Sequence, residues 1–260
     1  MSKILLTGAS GNLGTHLRRW FVEHGRAFVA TDIRAATDGG DVVIADLSDR
    51  SAVDALMADD FSAVVHLGAR ANEAGWQDIV DANIVATYNV FEAARQAGVR
   101  RVIFASSYHV VGMYEAEQLP LAADVPVRPD SLYGVSKVFG EALGRLYFDK
   151  FGIECLAIRI CTAGNPGTPR EARLWCSRDD LAGLIEAGLD AGTLGYRVVY
   201  GISNNPNAPV PVETGANLGW RPAHGSLELG THDPRAELDP TDPRHQRLGG
   251  VFAQWGHPDD

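Results

Sequence analysis

The sequence predicts an α/β fold: a doubly wound parallel sheet with a small C-terminal portion. Three observations carry that prediction. Apolar runs of strand length alternate with stretches whose apolar residues recur at helical spacing; the first run passes directly into a glycine-rich turn; and the alternation persists to about residue 160. Strands and helices in that rhythm build parallel sheets covered on both faces.

Ile4-Leu5-Leu6 is the first strand, Thr7-Gly8-Ala9-Ser10-Gly11-Asn12-Leu13-Gly14 the turn, and Leu13, Leu17, Trp20 and Phe21 mark the apolar stripe of the helix that follows. Glycines at such a junction let the backbone approach a pyrophosphate, which then meets the unpaired N–H groups of the helix start. Gly8, Ser10, Gly11, Asn12 and Leu13 are therefore the candidate phosphate cradle. Phe28 to Thr31 form a second strand ending at Asp32, 18 residues past Gly14, where a carboxylate accepts from ribose hydroxyls and repels a 2′-phosphate. NAD is the cofactor this favours over NADP; Arg34 is the nearby residue able to hold that phosphate instead.

Val42 to Ala45 read as a third strand, with Asp46 and Leu47 placed to meet the adenine. A short helix over Ser51 to Met57 leads to the strand Ala63 to His66, and Leu67, Gly68 and Ala69 let the next loop pass close to the cofactor. His66 reads as a packed core residue. Ile79 to Gln96 carry one amphipathic helix, Arg101 to Ala105 the fifth strand, and Ser106-Ser107-Tyr108-His109 the loop beyond it. Pro129 and either Asp130 or Ser131 announce a helix running to about Phe151, with Ile153 to Ile160 as the sixth strand. Tyr133 and Lys137 lie four apart on that helix, so an ammonium can sit beside a phenol and lower its pKa. Such a phenolate is a base for an alcohol proton, provided a hydride acceptor lies close by.

After Cys161 the pattern loosens. A loop to Pro169 precedes Arg170 and Arg173; Ser177 caps a helix from Asp179 to Leu189; Arg197 to Tyr200 form a further strand; Leu218-Gly219-Trp220 ends a helix; and the chain past Pro222 is polar and drapes the surface. The division expected is a dinucleotide-binding core over 1–160 and a smaller substrate-binding portion over 161–260.

Composition narrows the partners. A formal charge of −10 opposes general attraction to nucleic acid or an anionic membrane, which leaves a small molecule. Cys155, Cys161 and Cys176 are odd in number and lack CxxC spacing, so no disulfide framework and no metal site is indicated. The glycine turn interrupts the N-terminal apolar stretch before a signal-like core forms, and the expected location is the cytoplasm. A homo-oligomer stays open.

TGASGNLG, the HLGA loop, Ser107 five residues before Gly112, and Tyr133-x-x-x-Lys137 together resemble an extended short-chain dehydrogenase/reductase, a Rossmann-fold family. Arg128 to Lys137, Tyr147 to Gly152, Trp175 to Asp180 and Gly249 to Phe252 are similar to bacterial uronate dehydrogenases. The resemblance implies NAD-dependent oxidation of an anionic aldose at C1 to the lactone. It assigns Ser107, Tyr133 and Lys137 to catalysis, Ser107, His109 and Tyr133 to the sugar, and Arg170, with Arg173 next, to its anion. Two positions depart from that pattern: Tyr108 stands where an asparagine is usual, and Ala71, beside Arg70, where a serine is. A lost hydrogen-bonding group can redirect substrate choice, so a 6-sulfo sugar such as sulfoquinovose is the alternative anion. An epimerase or dehydratase that retains its NAD is the rival of another class.

Overall fold

A computed structural model describes residues 3–258. Seven strands form one sheet in the order β3-β2-β1-β4-β5-β6-β7: β1 Lys3–Thr7, β2 Phe28–Asp32, β3 Val43–Ile44, β4 Phe61–His66, β5 Arg101–Ser107, β6 Glu154–Ile160 and β7 Tyr196–Gly201. β1 pairs in parallel with β2 and β4, β2 with β3, and β4 with β5. The predicted doubly wound parallel sheet is what the chain adopts. Its strand order reverses between β1 and β4, the position at which such sheets bind ligands.

Two compact units are interleaved along the chain. One comprises the residues up to Ala105, Phe139–Ala157 and Gly192–Arg197; the other comprises Ser106–Val138, Ile158–Ala191 and the residues from Val198 onward. In the first unit the strands are apolar on both faces, with Ile4, Leu5 and Leu6 of β1, Val64 and Val65 of β4, and Val102, Ile103 and Phe104 of β5 all buried. A parallel sheet covered on both sides requires such continuous runs. Leu17 and Phe21 of α1 (Asn12–Glu23) are buried in this unit. In the second unit Val110, Val111, Tyr114, Leu121, Cys161, Leu174, Tyr200, Ile202, Val210 and Leu248 form one apolar cluster.

Four expectations change. The stretch expected as one helix over Ile79 to Gln96 is α3 Trp76–Ile79, a π-helical segment Val80–Val85, and then α4 Ala86–Gln96. The wider turn houses Asn83, whose buried amide accepts from Arg70 N (2.7 Å) and donates to Arg70 O (3.0 Å). The strand over Val42 to Ala45 shrinks to two residues, both exposed. α2 Arg50–Leu56 begins one residue early because Asp49 caps it, accepting from Ser51 N and Ala52 N. The chain past Pro222 is not a pure surface drape: Leu248 is buried, donating from N–H to Tyr114 O (3.0 Å), and Gly249 donates to Gly112 O (2.8 Å). A few apolar residues in a polar stretch suffice to bury it where its backbone finds partners.

α5 Leu132–Phe151 carries Tyr133 and Lys137 near its start. Further along, a Cβ on Gly140 would stand 2.1 Å from the Phe104 ring, so glycine there sets how closely α5 approaches β5. α6 Pro169–Arg173 opens with Thr168 as cap, and α7 Arg178–Asp190 is capped by Ser177 as expected, with Ser177 Oγ accepting from Asp179 N and Asp180 N. No helix among the described residues is long and apolar enough to cross a membrane. Gly140→Ala should cost about 1–3 kcal/mol through overpacking, read as a lower urea midpoint; an unchanged midpoint would show that Phe104 yields freely.

Candidate active site

The candidate dinucleotide cradle lies within the first unit. Gly8 has φ +69, and a Cβ there would stand 2.7 Å from Gly68 N and Leu67 C. At Gly14 a Cβ would meet Gly8 O at 2.1 Å. The two loops therefore touch through backbone alone. Gly68 in turn packs on Leu47, whose Cδ1 would be 2.9 Å from a Cβ. Gly11 precedes α1 and offers no side-chain cap, which leaves the first-turn N–H groups for an outside anion. This geometry fits a pyrophosphate. Asp32 is buried at the end of β2, its carboxylate accepting from Ser10 N (3.0 Å) and Arg34 N (3.1 Å). Ser10 Oγ donates to Arg34 O at 2.7 Å. Asp46 is exposed, and one of its oxygens accepts from Ser48 N and Ser48 Oγ. Asn12 is exposed and Leu13 half-buried at the start of α1; Ala69 is half-buried, and Ala71 exposed, in the loop after β4.

Three residues that composition and spacing did not single out hold this cradle. Thr7 Oγ1 accepts from Gly68 N (3.1 Å) and bonds His66 Nδ1 (2.8 Å), while His66 Nε2 meets Thr87 Oγ1 at 3.2 Å. His66 is thus the packed core histidine expected. Asn89 Nδ2 donates to Leu47 O and Ser48 O, both at 3.0 Å. Arg18, buried in α1, donates from Nε to Ala9 O (2.9 Å) and pairs with Asp38 (2.7 Å). A buried polar residue on an otherwise apolar helix face is the signal that could have flagged Asn89 and Arg18.

The second unit contains the catalytic candidates. Ser107 ends β5, and Tyr133 and Lys137 sit on the first turns of α5, all three buried. Tyr133 is hydrogen-bonded to Ser107. Lys137 Nζ lies over the Tyr133 ring, 5.5 Å from its centroid. The electrostatics differ from the expectation that the ammonium would lower the phenol. Burial pushes Tyr133 up to about 12 against the Ser107 hydrogen bond, and burial pushes Lys137 down to about 7. Removal from water favours the neutral form of each.

His109 follows in a single 3-10 turn, Tyr108–Val111. Its Nδ1 donates to Asp130 Oδ2 at 2.7 Å, and its ring stacks on Phe252 with centroids 4.0 Å apart. The Tyr133 ring meets His109 edge-on at 5.9 Å, and Tyr108 lies 4.2 Å away on a tilt. Ser131, not Asp130, caps α5, its hydroxyl accepting from Gly134 N at 3.0 Å. Arg170 donates through Nη2 to Leu248 O and, at 3.5 Å, to Arg247 O. It also reaches Tyr108, where its charge and hydrogen bond oppose the burial that lifts that phenol to about 12. Arg173 is committed to Pro234 O (2.8 Å) and Ala236 O (2.7 Å).

Residues 4–176 match the model of the NAD dependent epimerase/dehydratase family. The chain belongs to that family. Among the family's relatives, the uronate dehydrogenase of Pseudomonas putida is 37% identical over 264 aligned positions, covering 98% of this chain and 97% of the relative. A crystal structure of glucuronic acid dehydrogenase from Chromohalobacter salexigens superposes with a TM-score of 0.91 at 40% identity, covering 100% and 99% of the two chains. A uronate dehydrogenase from Agrobacterium tumefaciens, a tyrosine-to-alanine mutant complexed with NAD, gives 0.87 at 35% identity, covering 98% of each.

Burying Lys137 costs this fold stability, and the cost depends on pH. The Lys137 value in the folded state, about 7, lies below the ordinary 10.5. Between those values the unfolded chain holds the extra proton, so the destabilising contribution of Lys137 shrinks as pH rises across that window. Lys137→Met should therefore be more stable than wild type at pH 7, with an advantage that shrinks as pH approaches 10.5; parallel urea titrations at several pH values measure it. An advantage that grows with pH would contradict this account.

Proposed function

We propose that the protein is an NAD-dependent dehydrogenase that oxidises the anomeric carbon of a hexuronate to the aldarolactone. The reading is carried by the Ser107–Tyr133 hydrogen bond beside Lys137, in a chain whose uronate dehydrogenase relatives span nearly its whole length. The glycine turn, the first-turn N–H groups of α1 and Asp32 hold NAD, and the Asp32 carboxylate disfavours a 2′-phosphate at the ribose. When bound, NAD supplies the hydride acceptor for C1. Tyr133 as phenolate takes the proton of the anomeric hydroxyl, Ser107 orients that oxygen, and Lys137 offsets the charge the phenolate carries before the transfer and holds the nicotinamide ribose. The former C1–OH becomes the lactone carbonyl, so the sugar gives up a hydride from C1 to the nicotinamide and its hydroxyl proton to Tyr133.

His109 binds a sugar hydroxyl. Arg170, with Tyr108 against it, receives the anion at C6 through remaining N–H groups. The Tyr108 phenol on that guanidinium, together with apolar Ala71, supports a second reading in which the anion is the sulfonate of a 6-sulfo hexose such as sulfoquinovose. An anionic sugar acid and a chain of net charge −10 without a membrane-crossing helix among its described residues are consistent with a cytoplasmic enzyme.

Adding glucuronate, galacturonate, sulfoquinovose or glucose to the protein with NAD, and following NADH, tests the class and the sugar together. NADH accumulation with a uronate is the expected result; sulfoquinovose alone would favour the sulfonate, and no accumulation with any sugar would favour an enzyme that returns its hydride. Tyr133→Phe should reduce kcat by at least about a hundredfold, the scale of general-base catalysis, with NAD affinity near wild type. Because burial raises the phenol, wild-type kcat/KM should climb with pH up to about 7, the range in which Lys137 keeps its charge; a flat profile there would count against Tyr133 as the base.

A further inference from the structure

Asp130 is a carboxylate with no solvent exposure at its side chain. One oxygen accepts from His109 Nδ1 at 2.7 Å and the other from Ser131 Oγ at 2.8 Å. Two glycines make room for it: a Cβ on Gly112 would stand 1.8 Å, and one on Gly249 1.9 Å, from Asp130 Oδ2. These two glycines, over a hundred residues apart in the chain, are themselves joined by the Gly249 N–H bond to Gly112 O. Helix capping does not need this arrangement, since Ser131 caps α5. Burying a carboxylate costs several kcal/mol unless its partners are well placed, and here the partner that reaches into the site is a histidine.

Imidazole has two nitrogens, and what one donates decides what the other offers. With Nδ1–H given to Asp130, the Nε2 of a neutral His109 carries a lone pair and no proton. Among the described residues nothing is hydrogen-bonded to Nε2, whereas the ring faces are fixed by Phe252 on one side and by the nearby Tyr108. We propose that Asp130 is a positioning residue that sets His109 as a hydrogen-bond acceptor for one hydroxyl of the sugar. The inference rests on the sugar dehydrogenase reading and adds to it the direction of that hydrogen bond and the carboxylate that enforces it. Phe252 and Gly249, in the segment the sequence read as a surface drape, are parts of the same device.

The direction of the bond is directly observable. Nitrogen NMR of wild-type protein labelled at histidine, at neutral pH, should show His109 with a protonated Nδ1 and a pyridine-type Nε2; an imidazole protonated at Nε2 overturns the proposal. Kinetics supply the second arm. With the 2-, 3- and 4-deoxy analogues of glucuronate, one should lose about tenfold or more in kcat/KM in the wild type, the scale of a hydrogen bond in a buried polar site. In Asp130→Asn that penalty should shrink at least severalfold, with KM for glucuronate rising more than kcat falls. An Asp130→Asn enzyme that keeps the full penalty overturns the proposal, and should that variant not fold, the tautomer decides alone. A wild type that reduces NAD with no uronate at all is a different failure, that of the dehydrogenase reading, and leaves the NMR result standing on its own.

Discussion

Water exclusion around Tyr133 and Lys137 is the constraint on which the site depends. A phenol and an amine four residues apart on one helix face are unremarkable at a surface, where each would titrate near its ordinary value. Buried, they are driven in opposite directions, the phenol up to about 12 and the amine down to about 7. Each becomes sensitive to whatever charge or dipole enters next. Burial of this kind costs stability, because each group is held in the form it takes away from water.

The cradle in the first unit works by a different means. Where Gly8 meets Gly68, side chains are absent by necessity, and the loops are held apart by no more than van der Waals contact between main-chain atoms. Thr7, Asn89 and Arg18 then tie those bare loops to the sheet and helices through their side chains. Residues with wide backbone freedom are thereby kept in one conformation by their neighbours.

Much of this was legible in the sequence because it is local. A strand feeding a glycine turn and a helix, an acid at the end of the next strand, a tyrosine and lysine at i and i+4, and Ser177 ahead of two acids all express themselves within a dozen residues. What escaped is long-range or depends on burial. Asp130 looked like one of two possible caps, and only the distant Gly249 and His109 show why it is not the cap. Phe252 sits in a polar stretch with no period to place it. The direction of the Tyr133 shift could not be read from spacing, because i, i+4 geometry states proximity and says nothing of solvent. The π-helical segment escaped because apolar residues recur at helical spacing on either side of it, and such a repeat does not show where the helix widens.

That segment also bears on how the chain tolerates changes in length. A helix that widens over Val80–Val85 contains, in effect, one residue more than a regular spiral joining the same ends would hold. Deleting a single residue there would leave an uninterrupted α-helix, yet every side chain on its N-terminal side would swing by about 100° relative to α4. Trp76 and Ile79 would exchange faces with their neighbours, and the Asn83 clamp on Arg70 would come apart. Point substitutions along this stretch are graded perturbations, whereas a one-residue deletion is a re-phasing.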